Sequence, residues 1–232
     1  MTIDRILAVV GIFLGLPGFL LLFFTGYRTE AILALGLGLT LFSSPIIVTW
    51  LLSLPPYSIT EAKVALSFDK DSIQKATITK EYKIRPNQRH LTVLSLRNIA
   101  ADGKVENLRW NGNLIPKEWL REVLGEYEVT IHFPGPHALW KEFSGALSYE
   151  VTDSFNGNPE GLVYAPDHPT KVAQIEVTFP NNRPCRSANA YRVEGAGQIP
   201  IAGPEIFESG LRLKATIKRP TPGTEYWFWW NW

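Results

Sequence analysis

Residues 6–27 ("ILAVVGIFLGLPGFLLLFFTGY") carry no charge, and residues 31–57 ("AILALGLGLTLFSSPIIVTWLLSLPPY") again carry none. Each block reaches the ~20 apolar residues a helix needs to cross about 30 Å of hydrocarbon. The pattern predicts two transmembrane helices, joined only by residues 26–30 and therefore antiparallel. Pro55 and Pro56 stop the second helix. A cleaved leader fits the first block less well: the run exceeds the usual ~7–15 apolar residues, and no A-x-A-like site follows it. Beyond residue 57 the period changes from helical to two.

Runs of alternating polar and apolar residues, separated by Gly, Pro and Asn, occupy residues 63–68, 76–84, 91–99, 104–110 and 127–133. They continue at 146–155, 172–179, 189–194, 211–219 and 225–232. Short period-two runs with such punctuation predict an antiparallel β-sandwich or barrel. One segment departs from the pattern. In "PKEWLREVLG", Pro116 opens, Gly125 closes, and Trp119, Leu120, Val123 and Leu124 form a stripe, which predicts a short helix lying on the sheet. The fold class expected is thus a membrane-anchored all-β protein, with a hairpin over residues 1–57 and a β-domain with one short helix over residues 58–232.

The last segment, "EYWFWWNW", is too short to cross a membrane as a helix, and a lone strand leaves its backbone unpaired in lipid. After the turn "PTPG" it is expected to fold back beside residues 211–219 as a strand. Alternation then puts Tyr226, Phe228, Trp230 and Trp232 on one face, the core, and Trp227 and Trp229 on the other, where a partner or membrane surface would cover them.

Within the hairpin, Gly11 with Gly15 and Ala34 with Gly38 are small pairs at the spacing that lets helices approach closely. They fit packing of the hairpin on itself or on further copies, and a homo-oligomer is expected. Tyr57 reads as part of an interfacial aromatic belt, with Trp50. No ionisable residue falls inside either block, which argues against a transport path. Sparse basic flanks place both ends in the cytoplasm, so the expected location is the inner membrane, multi-pass, with a cytoplasmic β-domain. A single cysteine, Cys185, agrees with a reducing compartment.

Beyond the hairpin, 21 basic and 20 acidic residues leave a charge of +1, too little for general nucleic-acid binding. Two local basic clusters stand out. Lys80, Lys83, Arg85 and Arg89 are expected to meet a partner or anionic headgroups. Arg183, Arg186 and Arg192 beside Tyr191 are the candidates for a small anionic or nucleotide ligand, since arginine forks grip phosphate and an aromatic ring stacks a base. For both, ordinary solvated strand edges are the plainer reading.

Catalytic signatures are absent: there is no G-x-S-x-G, H-E-x-x-H, P-loop or paired-cysteine zinc motif. His132 and His137 are close, but Pro134 and Pro136 between them read as a turn. No cofactor, no metal and no enzymatic activity are expected. In layout, two spans followed by a β-domain, the chain resembles the two-helix membrane effectors of bacterial antiphage signalling. That resemblance implies a β-domain that senses a cyclic nucleotide and hairpins that oligomerise in the membrane, and it carries no binding residue over. The alternative expectation is a membrane scaffold whose β-domain docks a protein.

Overall fold

The computed structural model describes residues 55–232 except Asp71, Ala100, Ala101, Leu124, Gly125, Asn156 and Ala196, together with Ile32. The predicted spans, apart from Ile32 and residues 55–57, lie outside the described residues, as do Gly11, Gly15, Ala34 and Gly38. Among the described residues no helix is long and apolar enough to cross a membrane. The described residues thus correct the fold class from a membrane-anchored all-β protein to an all-β domain, and the expected helical hairpin and multi-pass inner-membrane location are not carried forward.

Strands dominate. The centre of the largest sheet is β1 (Tyr57–Asp69), β2 (Ser72–Pro86) and β8 (Phe143–Thr152). On one side follow β4 (Lys104–Trp110) and β5 (Asn113–Leu114); on the other, β10 (Val172–Thr178), β14 (Arg212–Lys218) and β13 (Glu205–Phe207). A four-stranded sheet orders β12 (Gly197–Pro200), β11 (Ser187–Glu194), β15 (Tyr226–Asn231) and β9 (Glu160–Tyr164). A three-stranded sheet orders β3 (Leu91–Ile99), β7 (Glu126–His137) and β6 (Leu120–Val123).

The strands in the large sheet are not all antiparallel. β1 runs parallel to β10, from Ala62 opposite Ala173 to Ser67 opposite Thr178. The antiparallel sandwich or barrel is therefore corrected to one mixed sheet with two small sheets against its inner face. The four-stranded sheet meets it where Trp230 and Trp232 pack on Phe68 and Phe179. The three-stranded sheet meets it where the Tyr57 hydroxyl reaches the Ser95 carbonyl.

Alternation explains the core. β1 buries Tyr57 and Ile59, then a bulge before Glu61 shifts the parity so that Ala62, Val64, Leu66 and Phe68 are buried. β8 buries Leu147, Tyr149 and Val151, and β10 buries Ala173, Ile175 and Val177. Tyr57, expected at a membrane interface, is instead the first core residue of β1.

The opposite face of the large sheet is an ionic lattice. Lys83 pairs with Glu61 at 2.5 Å, Lys75 with Glu150 at 2.8 Å, and Lys63 with Glu176 at 3.4 Å. Matched cross-strand charges keep that face solvated.

The predicted helix is also corrected. Its first residues form a single 3-10 turn, Lys117–Trp119, and residues 120–123 are β6, which pairs with β7 from Leu120–Val129 to Val123–Glu126. One isolated ten-residue helix has little intrinsic stability, whereas β7 offers "LREV" a ladder of backbone hydrogen bonds.

Candidate functional site

The first basic cluster is dispersed by the two-residue period of β2. Lys83 and Arg85 face outward and are neutralised by Glu61 and Glu142, the latter pair at 2.6 Å. Arg89 lies in the turn before β3. Lys80 shares the parity of the buried Ile78, Tyr82 and Ile84 and so points inward, with Nζ 5.9 Å from the centroid of the Tyr149 ring.

The second cluster separates in the same way. Tyr191 stands directly opposite Trp227 on β15, and Asn189 opposite Trp229. Arg192 has the other parity and pairs with Glu194 at 2.6 Å. Arg183 lies over the Trp232 ring at 5.4 Å, and Arg186 is exposed at the entry to β11. The structure thus joins Tyr191 to Trp227 and Trp229 and parts it from the arginines. Trp229 lies across Gly161 of β9, where a Cβ would come within 2.8 Å of the indole, so only glycine fits beneath that ring.

A polar cluster sits where the three-stranded sheet meets the large one. The Tyr57 hydroxyl donates to the Ser95 carbonyl at 2.5 Å, which leaves its oxygen to accept from His168 Nε2 at 2.6 Å. The Asp167 carboxylate accepts the Arg97 backbone N–H, and Glu128 accepts from the Ser95 hydroxyl and the Arg97 guanidinium. Those hydrogen bonds, first from Ser95 and then from Arg97, hold the Glu128 carboxyl below its ordinary range. Burial pushes the Lys80 ammonium down to about 8 and the Tyr164 phenol up to about 12.

His168 and His137 are both pushed below the usual imidazole value by burial. A histidine whose folded-state value is depressed leaves stability intact above its unfolded pKa of about 6.5 and takes it away as pH falls below that. The thermal midpoint should therefore drop between pH 7.5 and pH 5. His137→Phe, which keeps a ring against Phe143, should flatten that drop; an unchanged slope would remove His137 from its cause.

A concavity of about 420 Å³ lies between β4, β8 and β7. Its walls carry Trp110, Trp119, Phe133 and Phe143, with Ile115 and Pro116 at one end. The ring of His137 stacks on Phe143 with centroids 3.7 Å apart, and Phe133 meets Phe143 edge-on at 5.3 Å. Trp119 is brought there by the 3-10 turn and packs at 5.1 Å from His132. Trp110 lies over Gly145, where a Cβ would come within 2.1 Å of the indole, so this glycine is what lets the ring lie against the sheet.

The β4–β5 turn aims these walls. Asn111 and Gly112 both have left-handed φ, 48° and 82°, the Asn-Gly signature of a tight hairpin. Asn111 also holds β8: its N–H donates to the Ala146 carbonyl and its Oδ1 accepts the Ala146 N–H, both at 2.8 Å. The polar groups at the mouth are Asn111, Asn113 and Ser144. Asn111 and Ser144 also border a second hollow of about 340 Å³ over Glu61, Lys63, Glu81 and Lys83.

Among the described residues no group of three or more His, Cys, Asp or Glu is placed to hold a metal. The groove's chemistry is that of aromatic contact with a few uncharged polar groups at the rim. His132 and His137 flank it, and Pro134 and Pro136 sit within β7 beyond the stretch that β6 covers, where a missing N–H costs no ladder bond on that side.

No protein-family model and no curated protein matches the chain. Solved structures similar to it include an M1 zinc metallopeptidase mutant from Deinococcus radiodurans bound to a Tyr-Ser-Ala substrate. There the identity is 13 %, the TM-score 0.41, and the match covers 75 % of this chain and 42 % of that one. Native yeast LTA4 hydrolase gives 11 % identity and TM-score 0.43 over 75 % of this chain and 29 % of that one. Legionella pneumophila aminopeptidase A in complex with aspartic acid gives 11 % and 0.40 over 76 % and 21 %.

This chain spans less than half the length of each of these structures, and no residue role or activity is transferred from them. The sequence-based expectations of a non-enzyme, a membrane sensor-effector and a membrane scaffold find no support among these structures. The neighbours found are peptidases and a hydrolase, and no membrane-crossing helix occurs among the described residues. None of those three expectations is carried forward.

Proposed function

We propose that residues 55–232 form a ligand-recognition domain whose aromatic groove receives a flat, uncharged group. The observation that carries this reading is the convergence of Trp110, Trp119, Phe133 and Phe143 on one open concavity. Pockets with mostly apolar walls and a few placed polar groups are the usual form of a small-ligand site. No Asp, Glu, Lys or Arg is among the groove's lining residues, and Arg85 on the neighbouring β2 is paired with Glu142, which suits an uncharged ligand.

Indole and N-acetyl-tryptophanamide are suitable probes, titrated by saturation-transfer NMR against the full chain. Fragments of this size should bind with Kd of about 1 mM, equivalent to ~4 kcal/mol. Trp110→Ala should weaken binding at least about tenfold by removing one wall, roughly the ~1.4 kcal/mol that one well-packed aromatic contact supplies. Absence of saturable binding by the unmodified chain would sink the reading.

A further inference from the structure

The edge of β8 is occupied along only part of its length. β4 pairs with it from Lys104 opposite Thr152 to Trp110 opposite Leu147, and Asn111 completes the ladder at Ala146. Because the N–H and C=O of Ala146 face β4, alternation turns those of Ser144 to the same side, away from β2. No strand lies there: β5 folds back on the far side of β4. Ser144 is exposed, and its main-chain donor and acceptor on that edge meet no partner among the described residues. Ser144 is also a rim residue of the aromatic groove.

We propose that the ligand of the groove is an extended peptide, which adds as a short strand to β8 at Ser144 and lowers one large apolar side chain between Trp110 and Phe143. This inference rests on the reading of the groove as a binding site and names the class of ligand. A strand added to an open sheet edge gains main-chain hydrogen bonds, and a pocket beside that edge selects every second side chain. The walls of the groove stand on the inner side of the sheet, the side to which Gly145 and Leu147 point, so a strand in line with β4 sends alternate side chains into it. Charge supports the choice. With Lys83 held by Glu61 and Arg85 by Glu142, the edge presents matched pairs, which suits an uncharged backbone flanked by uncharged residues.

The test uses the full chain and three probes: indole, the capped tripeptide acetyl-Ala-Trp-Ala-amide, and the same tripeptide N-methylated at its backbone. The capped tripeptide should bind about tenfold more tightly than indole, the gain expected of two net main-chain hydrogen bonds. N-methylation should erase that gain, and Ser144→Pro should lower the affinity for the unmethylated tripeptide to the methylated level. Equal affinity for the two tripeptides, with indole still bound, overturns the peptide inference and leaves the groove a small-molecule site. Failure of all three probes overturns the groove reading as well.

Discussion

Trp230→Ala should cost the domain about 3–5 kcal/mol, the range for deleting a fully buried tryptophan side chain. The residue is 0 % exposed. Its ring is the meeting point of two sheets, with Phe179 at 5.5 Å, Trp232 at 6.1 Å, Phe155 at 6.3 Å and Phe68 at 6.4 Å. Truncation leaves a cavity walled by rings that come from separate segments of the chain and close in poorly. Urea unfolding followed by circular dichroism measures the loss.

A second substitution separates packing from polarity. The indole N–H of Trp230 is buried with no hydrogen-bond partner among the described residues, a group whose desolvation alone costs about 1–3 kcal/mol. Trp230→Phe removes that donor and keeps most of the ring, so its cost should be under half that of the alanine variant. Equal losses would mean that the N–H is satisfied.

Lys80→Met should act in the opposite direction and raise stability at pH 7 by about 1–2 kcal/mol. Burial holds the lysine down at about 8 against its ordinary 10.5, so keeping it charged inside the folded domain at neutral pH costs about 2–3 kcal/mol. Methionine avoids that cost and fills a similar volume, at the loss of the contact with the Tyr149 ring, worth about 0.5–1 kcal/mol.

The pH dependence follows in sign. For a lysine whose folded-state pKa is depressed, the penalty is fully present below the folded value and fades as pH rises towards the unfolded one. The parent should therefore gain stability between pH 8 and about 10, and the advantage of the methionine variant should shrink over that window. Above pH 10 the buried tyrosines reverse the trend. Tyr57, Tyr82 and Tyr149 are all held neutral by burial, so their stabilising contribution is lost once the unfolded chain ionises. Thermal midpoints of both proteins from pH 7 to pH 10 measure the effect, and parallel curves would show that Lys80 is not the group responsible.

The sequence carried the long strands openly. Alternation locates each of the runs from residues 63–68 to 225–232, and in β15 it also assigns the faces, with Tyr226, Phe228 and Trp230 buried and Trp227 and Trp229 partly exposed. The pairing differs: β15 lies between β11 and β9 and not, as expected, beside residues 211–219. Strands shorter than two or three periods carried too little pattern to be seen: β5, β9, β12 and β13 lie at sheet edges and are held by their neighbours rather than by their own residues.

Lys80 was misplaced for a different reason. Its nearness in sequence to Lys83 and Arg85 suggested a basic patch, although its parity with Ile78 and Tyr82 already assigned it to the core side. The groove was less accessible still. Trp110, Trp119, Phe133 and Phe143 come from β4, a 3-10 turn, β7 and β8, and only the folded topology brings them together. The one local hint, "HFPGPH", looks like a turn because proline breaks a ladder that is paired on both sides, whereas β7 has no partner strand beyond β6 on one side there among the described residues.

The parallel pairing of β1 with β10 governs when this domain can assemble. A strand near residue 65 must wait for its neighbour near residue 175, which emerges from a ribosome some seconds later at about 5–20 residues per second. Until then the β1 edge, with Val64 and Leu66 beside it, stays open to any other strand. Long-range pairing of this kind slows folding because chain closure precedes most of its reward. Newly made chains thus pass through an interval in which the middle of the largest sheet is a temporary edge, and the late arrival of β10 and β14 is what seals it.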